Sequence, residues 1–261
     1  MPYAACPLCD NAQATDLGEA DLTIHEQWRP AQPTTRAWLA CDRCEHVFAD
    51  AWWTAAGRQA LRAVPRSGAS LREAWPDARA WAAPTLATLA RLRPGPRRML
   101  VVGASARGGG LIAVGAEHGH AVVAIDDRPA AVEELRAYGF DARVADEVDL
   151  AQLGRWDVVI LDDVVARAPW PRSLVADLAP LLAPGGVLVV TAVVRGSFAW
   201  RVADAAGCNG YWAEVEYLHL FTRAALERMF VDDGWRVDTL RVSRHQRCGL
   251  EFFMTRSRPH A

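Results

Sequence analysis

The chain has no lysine, so arginine supplies all of its positive side-chain charge. Its 29 basic residues stand against 31 acidic ones, for a formal net charge of −2. The basic excess that marks a non-specific nucleic-acid binder is therefore missing. No apolar run approaches the ~20 residues that a bilayer-spanning helix needs. The opening Met1-Pro2-Tyr3 has neither the basic nor the apolar region of a secretory signal, and a cytoplasmic location is the expectation. Cysteine is scarce, with 6 in 261 residues. In a reducing cytosol, paired cysteines are metal ligands more often than disulfides.

Four of the six cysteines form two close pairs, Cys6-Pro7-Leu8-Cys9 and Cys41-Asp42-Arg43-Cys44. The two-residue spacer lets both sulfurs of a pair reach one metal, and four thiolates close a tetrahedral shell around Zn²⁺. A closed thiolate shell leaves no open position for catalysis, so the role expected of the zinc is structural. The polar excursion between the knuckles carries few core residues, and a metal centre can hold such a segment where an apolar core is too small. Cys208 and Cys248 are isolated and read as buried, inert thiols.

Three parts follow from the pattern along the chain: a zinc ribbon over 1–53, a helical bridge over 54–93, and a nucleotide-type domain over 94–261. In the bridge, apolar residues such as Leu61, Leu71, Trp81, Leu86 and Leu89 recur at mixed spacings of three and four, predicting two or three helices. Pro65-Arg66-Ser67-Gly68 and Trp75-Pro76 punctuate them. Beyond it, short apolar runs alternate with helical stretches. The runs are Met99–Val102, Ala121–Ile125, Ala142–Ala145, Asp157–Leu161 and Val187–Val190, with helices over Ala130–Tyr138 and Pro171–Leu182. Continuous apolar strands separated by helices predict a parallel sheet covered on both faces. Trp235–Ser243 and Cys248–Thr255 read as an antiparallel pair at one edge. The fold class is therefore α/β, a doubly wound, mostly parallel seven-stranded sheet.

In such sheets ligands bind beyond the carboxyl ends of the strands. There the first strand opens into Gly103-Ala104-Ser105-Ala106-Arg107-Gly108, and the next three end in acids: Asp126-Asp127, Asp146 and Asp162-Asp163. An acid after the second strand can accept both hydroxyls of a ribose, and one after the third can accept from an adenine amino group.

On Val101-Val102-Gly103-Ala104-Ser105, Val123-Ala124-Ile125-Asp126, Leu181-Leu182-Ala183-Pro184-Gly185-Gly186-Val187-Leu188 and Tyr217-Leu218-His219-Leu220-Phe221-Thr222, the chain resembles the class I S-adenosylmethionine-dependent methyltransferases. The resemblance covers roughly residues 85–255. A ribbon ending Cys-x-x-Cys-x-His-Val-Phe ahead of such a domain also looks like bacterial methyltransferases of small-molecule and sugar pathways. Two departures stand out. Val101 takes the place of an acid usual two residues before the first loop glycine, and Ser105 and Arg107 replace later glycines. A cofactor without a pyrophosphate tolerates this, since the backbone need not approach a phosphate.

The resemblance implies S-adenosylmethionine as cofactor, held by Gly103, Ala104, Ser105, Arg107, Gly108, Asp126 or Asp127, Asp146 and Asp162. It implies a methyl acceptor near Asp163 and His219. Imidazole can take a proton near neutral pH, which makes His219 the candidate base; beside Tyr217 and Phe221 it reads equally as a packed residue. The segment from Tyr211 to Phe221 suits a cap over the pocket. A small-molecule methyltransferase is the leading reading. An RNA methyltransferase gripping RNA with its ribbon, and a degenerate fold serving as a binding or assembly partner, stay open beside it.

Overall fold

The computed structural model describes residues 1–63, 71–95, 97–103, 109–243 and 248–257, the side chains of 71–76 excepted. Five parallel strands form the centre: β4 (Arg98–Val102), β5 (Ala121–Asp126), β6 (Asp141–Val144), β7 (Trp156–Asp162) and β8 (Leu182–Arg195). An antiparallel pair, β10 (Trp235–Val242) and β11 (Gly249–Arg256), joins them through β11 against β8. The order β6-β5-β4-β7-β8-β11-β10 is the mostly parallel, seven-stranded sheet expected.

Both faces of this sheet are apolar, which is why its strands read as unbroken hydrophobic runs. Side chains alternate between faces with a period of two. Met99, Val101, Val158, Ile160 and Val189 point to one cluster, and Leu100, Val159, Leu161, Leu188 and Val190 to the other. The first is covered by α2 (Leu71–Leu92), α3 (Gly109–Glu117) and α4 (Pro129–Ala137) through Trp81, Leu86, Leu89, Leu111, Val132 and Leu135. The second is covered by α5 (Pro171–Leu178) and α7 (Arg223–Asp232) through Val175, Leu178, Leu226, Met229 and Phe230. Each such Val, Leu, Phe or Met side chain removed from water contributes about 1.5–3 kcal/mol. α2 and α3 approach closely at Gly110, where an added Cβ would meet the Ala78 carbonyl oxygen at 2.6 Å.

The bridge contains two described helices, α1 (Ala55–Arg62) and α2. Thr54 caps α1, its hydroxyl accepting from the Gly57 amide at 3.0 Å. Pro65 to Gly68 lie outside the described residues. Trp75-Pro76 does not end a helix: α2 runs through it, and the amide that Pro76 lacks falls in the second turn.

The N-terminal region adds three strands, and a fourth short one lies late in the chain; pattern reading left all four out. β1 (Ala14–Asp21) pairs antiparallel with β2 (Thr35–Cys41), and β2 with β3 (Val47–Ala49). β3 pairs with β9 (His219–Thr222), and β9 runs parallel to the far end of β8 at Val194–Arg195. β8 reaches this far because Val187 to Val194 is an almost unbroken β-branched run, which outlasts its pairing with β7 at Thr191. The ribbon is thus hydrogen-bonded into the main sheet, and Trp38, Val47 and Phe48 belong to the same core as β8. No described helix is long and apolar enough to cross a membrane.

Candidate functional site

The four cysteines of the two knuckles meet. Their sulfurs all lie within 4.8 Å of one another, with Cys6 Sγ to Cys44 Sγ at 3.7 Å and Cys9 Sγ to Cys41 Sγ at 3.5 Å. A disulfide needs about 2.05 Å. A tetrahedron with zinc–sulfur bonds of about 2.3 Å has edges near 3.8 Å. The donor set and spacing therefore fit a zinc site. The turns support it: amides of Leu8 and Cys9 aim at Cys6, and those of Arg43 and Cys44 at Cys41. Burial pushes the Cys41 thiol up, but these amides and the neighbouring thiols more than reverse it, bringing it down to about 7. Cys248 is buried as expected, whereas Cys208 is exposed.

At the carboxyl end of the sheet, Gly103, Asp126 and Asp162 terminate the adjacent strands β4, β5 and β7. This is the switch point, since β5 and β6 lie to one side of β4 and β7 and β8 to the other. Gly103 has φ +88°, and a Cβ there would meet the Asp162 carbonyl oxygen at 2.4 Å, so only glycine fits. Ala104, Ser105, Arg107 and Gly108 lie outside the described residues. Asp126 is buried and accepts from the Arg128 amide at 2.9 Å. Asp162 is buried and accepts from the Thr191 hydroxyl at 2.6 Å. Asp127 follows β5, and Asp146 sits in a 3₁₀ turn after β6 (Ala145–Glu147). The two are joined by one residue, Arg62 of α1, whose Nε lies 3.2 Å from Asp127 and whose Nη1 lies 2.5 Å from Asp146.

A ladder of charges crosses the same end. Arg128 pairs with Glu216, Glu216 with Arg167 at 3.3 Å, and Arg167 with Asp163 at 3.4 Å. Asp163 has φ +57°, a left-handed conformation that aspartate tolerates, and accepts from the Tyr217 hydroxyl at 2.8 Å. Burial and the facing Asp163 carboxylate push the Tyr217 phenol well up, so it stays a donor.

The segment from Tyr211 to Phe221 is held from the ribbon side. Tyr217, Leu218, His219, Leu220 and Phe221 are all buried, and the ribbon grips their backbone. Arg36 of β2 donates to the carbonyls of Glu214 at 3.1 Å, Val215 at 2.9 Å and Tyr217. The indoles of Trp38 and Trp53 donate to Trp212 O and Val215 O, and His25 meets Glu214 at 3.1 Å.

His219 is 1% exposed. Its Nε2 lies 2.8 Å from the Ala168 carbonyl, which can only accept, so Nε2 carries the proton. Nδ1 is then the acceptor, and it is occupied by His46 Nε2 at 3.1 Å. Both ring nitrogens are engaged within the protein. Burial lowers the His219 pKa to about 4, although the carbonyls of Ala168 and Pro169 oppose it. The folded state therefore binds this proton less readily than the unfolded chain. Stability is full above the ordinary value of about 6.5 and falls as pH drops toward 4. By pH 5 this one group is expected to cost about 2 kcal/mol. Urea unfolding at pH 7 and pH 5 checks it: wild type should lose more stability than His219→Asn, and equal losses would mean a histidine already charged when folded.

Arg36 and Arg62 are site residues that sequence reading passed over. Each reads as an ordinary arginine, and nothing around it names a partner 65 to 181 positions away.

Comparison with known proteins agrees with this geometry. A family described as a methyltransferase domain matches residues 76–240. A ubiquinone biosynthesis O-methyltransferase of Xanthomonas axonopodis pv. citri is 35% identical over 123 residues, 44% of this chain and 50% of that protein. The chain thus spans about half the length of that relative. Among solved structures, the Synechocystis magnesium protoporphyrin IX methyltransferase with bound S-adenosylhomocysteine superposes with a TM-score of 0.55 at 16% identity, covering 77% of this chain and 93% of that one. The Burkholderia thailandensis 1,6-didemethyltoxoflavin N1-methyltransferase gives 0.55 at 19% identity, over 88% and 98%. At these identities the two structures share the fold; the family rests on the match over 76–240, and by it the chain belongs to the class I S-adenosylmethionine-dependent methyltransferases.

Proposed function

We propose that the protein transfers a methyl group from S-adenosylmethionine to a small-molecule acceptor. What carries the reading is the convergence of Gly103, Asp126 and Asp162 on three adjacent strand ends at the switch point. In this reading Asp126 accepts from the ribose hydroxyls, Asp146 faces the adenine side, and Asp162 lies with Gly103 at the methionine end. The names of the similar proteins, a quinone O-methyltransferase and a toxoflavin N-methyltransferase, favour a small acceptor, as does the absence of a basic excess. The division into a ribbon over 1–53, a bridge over 54–93 and a cofactor-binding unit over 94–261 is proposed alongside, with the ribbon holding zinc.

The cofactor supplies an electrophilic methyl and a neutral thioether leaving group. The protein's work is then to align the acceptor in line with the sulfonium, exclude water and hold the acceptor's proton. Asp163 is proposed for the last task. It follows the cofactor-side acid Asp162 directly and is fixed by Tyr217 and Arg167. His219 is assigned to holding β9, because its acceptor nitrogen is already taken.

Calorimetric titration tests the cofactor half. Asp126→Ala is expected to weaken S-adenosylmethionine binding by about 1.5–3 kcal/mol, the worth of a charged acceptor, and Asp127→Ala by less. Unchanged affinity in Asp126→Ala would reject the ribose assignment, and no binding by wild type would reject the activity. Methyl transfer from isotope-labelled cofactor to a panel of phenols, amines and sugars then tests the acceptor class.

A further inference from the structure

We infer that Arg62 is a cofactor-binding residue, carried from the N-terminal region to the adenosine end of the site. The inference rests on the methyltransferase reading above. Three observations point to it. First, Arg62 is the one described residue that ion-pairs with both Asp127 and Asp146, the acids that follow β5 and β6. Its side chain is 22% exposed, against 45% and 70% for its partners, so it is the more buried member of both pairs. Second, the neighbouring residue ties the same helix end to the ribose acid: the Leu61 carbonyl accepts from Arg128 Nη2 at 3.4 Å, and the Arg128 amide donates to Asp126. Third, α1 is seated by ribbon-side residues. Leu61 packs with Leu22 and Val215, with Trp28 and Trp53 against them.

The chemistry suits adenosine. Asp126, Asp127 and Asp146 place three carboxylates at one end of the site, while the ligand's base and ribose are neutral there. A guanidinium offsets that repulsion, orients two of the acids and offers a flat, weakly hydrated cation to a purine ring. Lysine would supply the charge without the plane, and this chain has no lysine. The half-exposed ion pairs themselves contribute little to stability, so the arginine is free to be judged by its effect on the ligand.

Calorimetric titration of S-adenosylmethionine and S-adenosylhomocysteine into the full chain tests this. Arg62→Ala is expected to weaken both ligands by about 3- to 30-fold and to the same extent, because both carry the same adenosine. The melting temperature should stay unchanged. Arg62→Lys should recover part of the loss, and Arg58→Ala on the same helix should bind as wild type. In an Asp127→Ala, Asp146→Ala background, removing Arg62 should cost less than it does alone. Wild-type affinity in Arg62→Ala, or tighter binding, would overturn the inference. So would a loss confined to one ligand, or one matched by Arg58→Ala. If wild type itself bound neither ligand, the cofactor reading would fall and not Arg62 alone.

Discussion

Replacing Cys41 with serine is expected to release zinc, loosen the ribbon and unpair β3 from β9. Freshly purified, reduced wild-type protein should contain one zinc per chain. Structural zinc contributes about 10–16 kcal/mol of folding free energy in small cysteine-ligated units. Part of that is recovered here by apolar packing, because Trp38, Val47 and Phe48 lie in the main core and do not depend on the metal alone for burial. The effect should therefore be local and large rather than a global collapse. Hydrogen exchange reads it directly. Amides of β2, β3 and β9 should lose protection on Cys41→Ser or on chelation, whereas β4, β5 and β7 should keep theirs. Cofactor affinity is a second readout, since α1 leans on ribbon-side Leu22. Absence of zinc from the wild type, or unchanged protection at β3 and β9 after its removal, would defeat this account.

Arg36→Ala is expected to be the most damaging single substitution outside the cysteines, costing about 3–5 kcal/mol in urea unfolding, since each buried carbonyl left without a donor costs about 1–3 kcal/mol. Burial holds the Arg36 pKa down to about 10, with Glu214 and Asp50 opposing, so it remains charged at neutral pH. Its guanidinium is satisfied by three carbonyls in one stretch, those of Glu214, Val215 and Tyr217. Truncation would leave those carbonyls buried without a donor. Arg36→Lys should rescue little, because an ammonium cannot reproduce the planar fork. The damage should extend to Asp163, which accepts from the Tyr217 hydroxyl. A loss under about 1 kcal/mol in Arg36→Ala would show that the indoles of Trp38 and Trp53 suffice to hold the segment.

Part of this protein is fixed by short-range pattern. The runs at 99–102, 121–125, 157–161 and 187–190 are strands because both faces of a covered parallel sheet demand apolar side chains, which leaves an unbroken signature. The glycine and acids at their ends follow from strand direction alone. The zinc knuckles carry their spacing in the sequence. What the sequence could not show is pairing between distant elements. β9 is four residues long, and nothing in His219–Thr222 says that it bridges β3 and β8. The segment from Tyr211 to Phe221 reads as a cap because it mixes acids with aromatics. Its residues Tyr217 to Phe221 are buried, and Arg36, His25 and His46, far earlier in the chain, complete hydrogen bonds along it. Arg62 likewise reads as one more arginine on a helix until the fold lays it against Asp127 and Asp146. Local periodicity determines which residues can form an element; which buried polar group each element satisfies depends on contacts that only the closed tertiary structure brings within hydrogen-bonding distance.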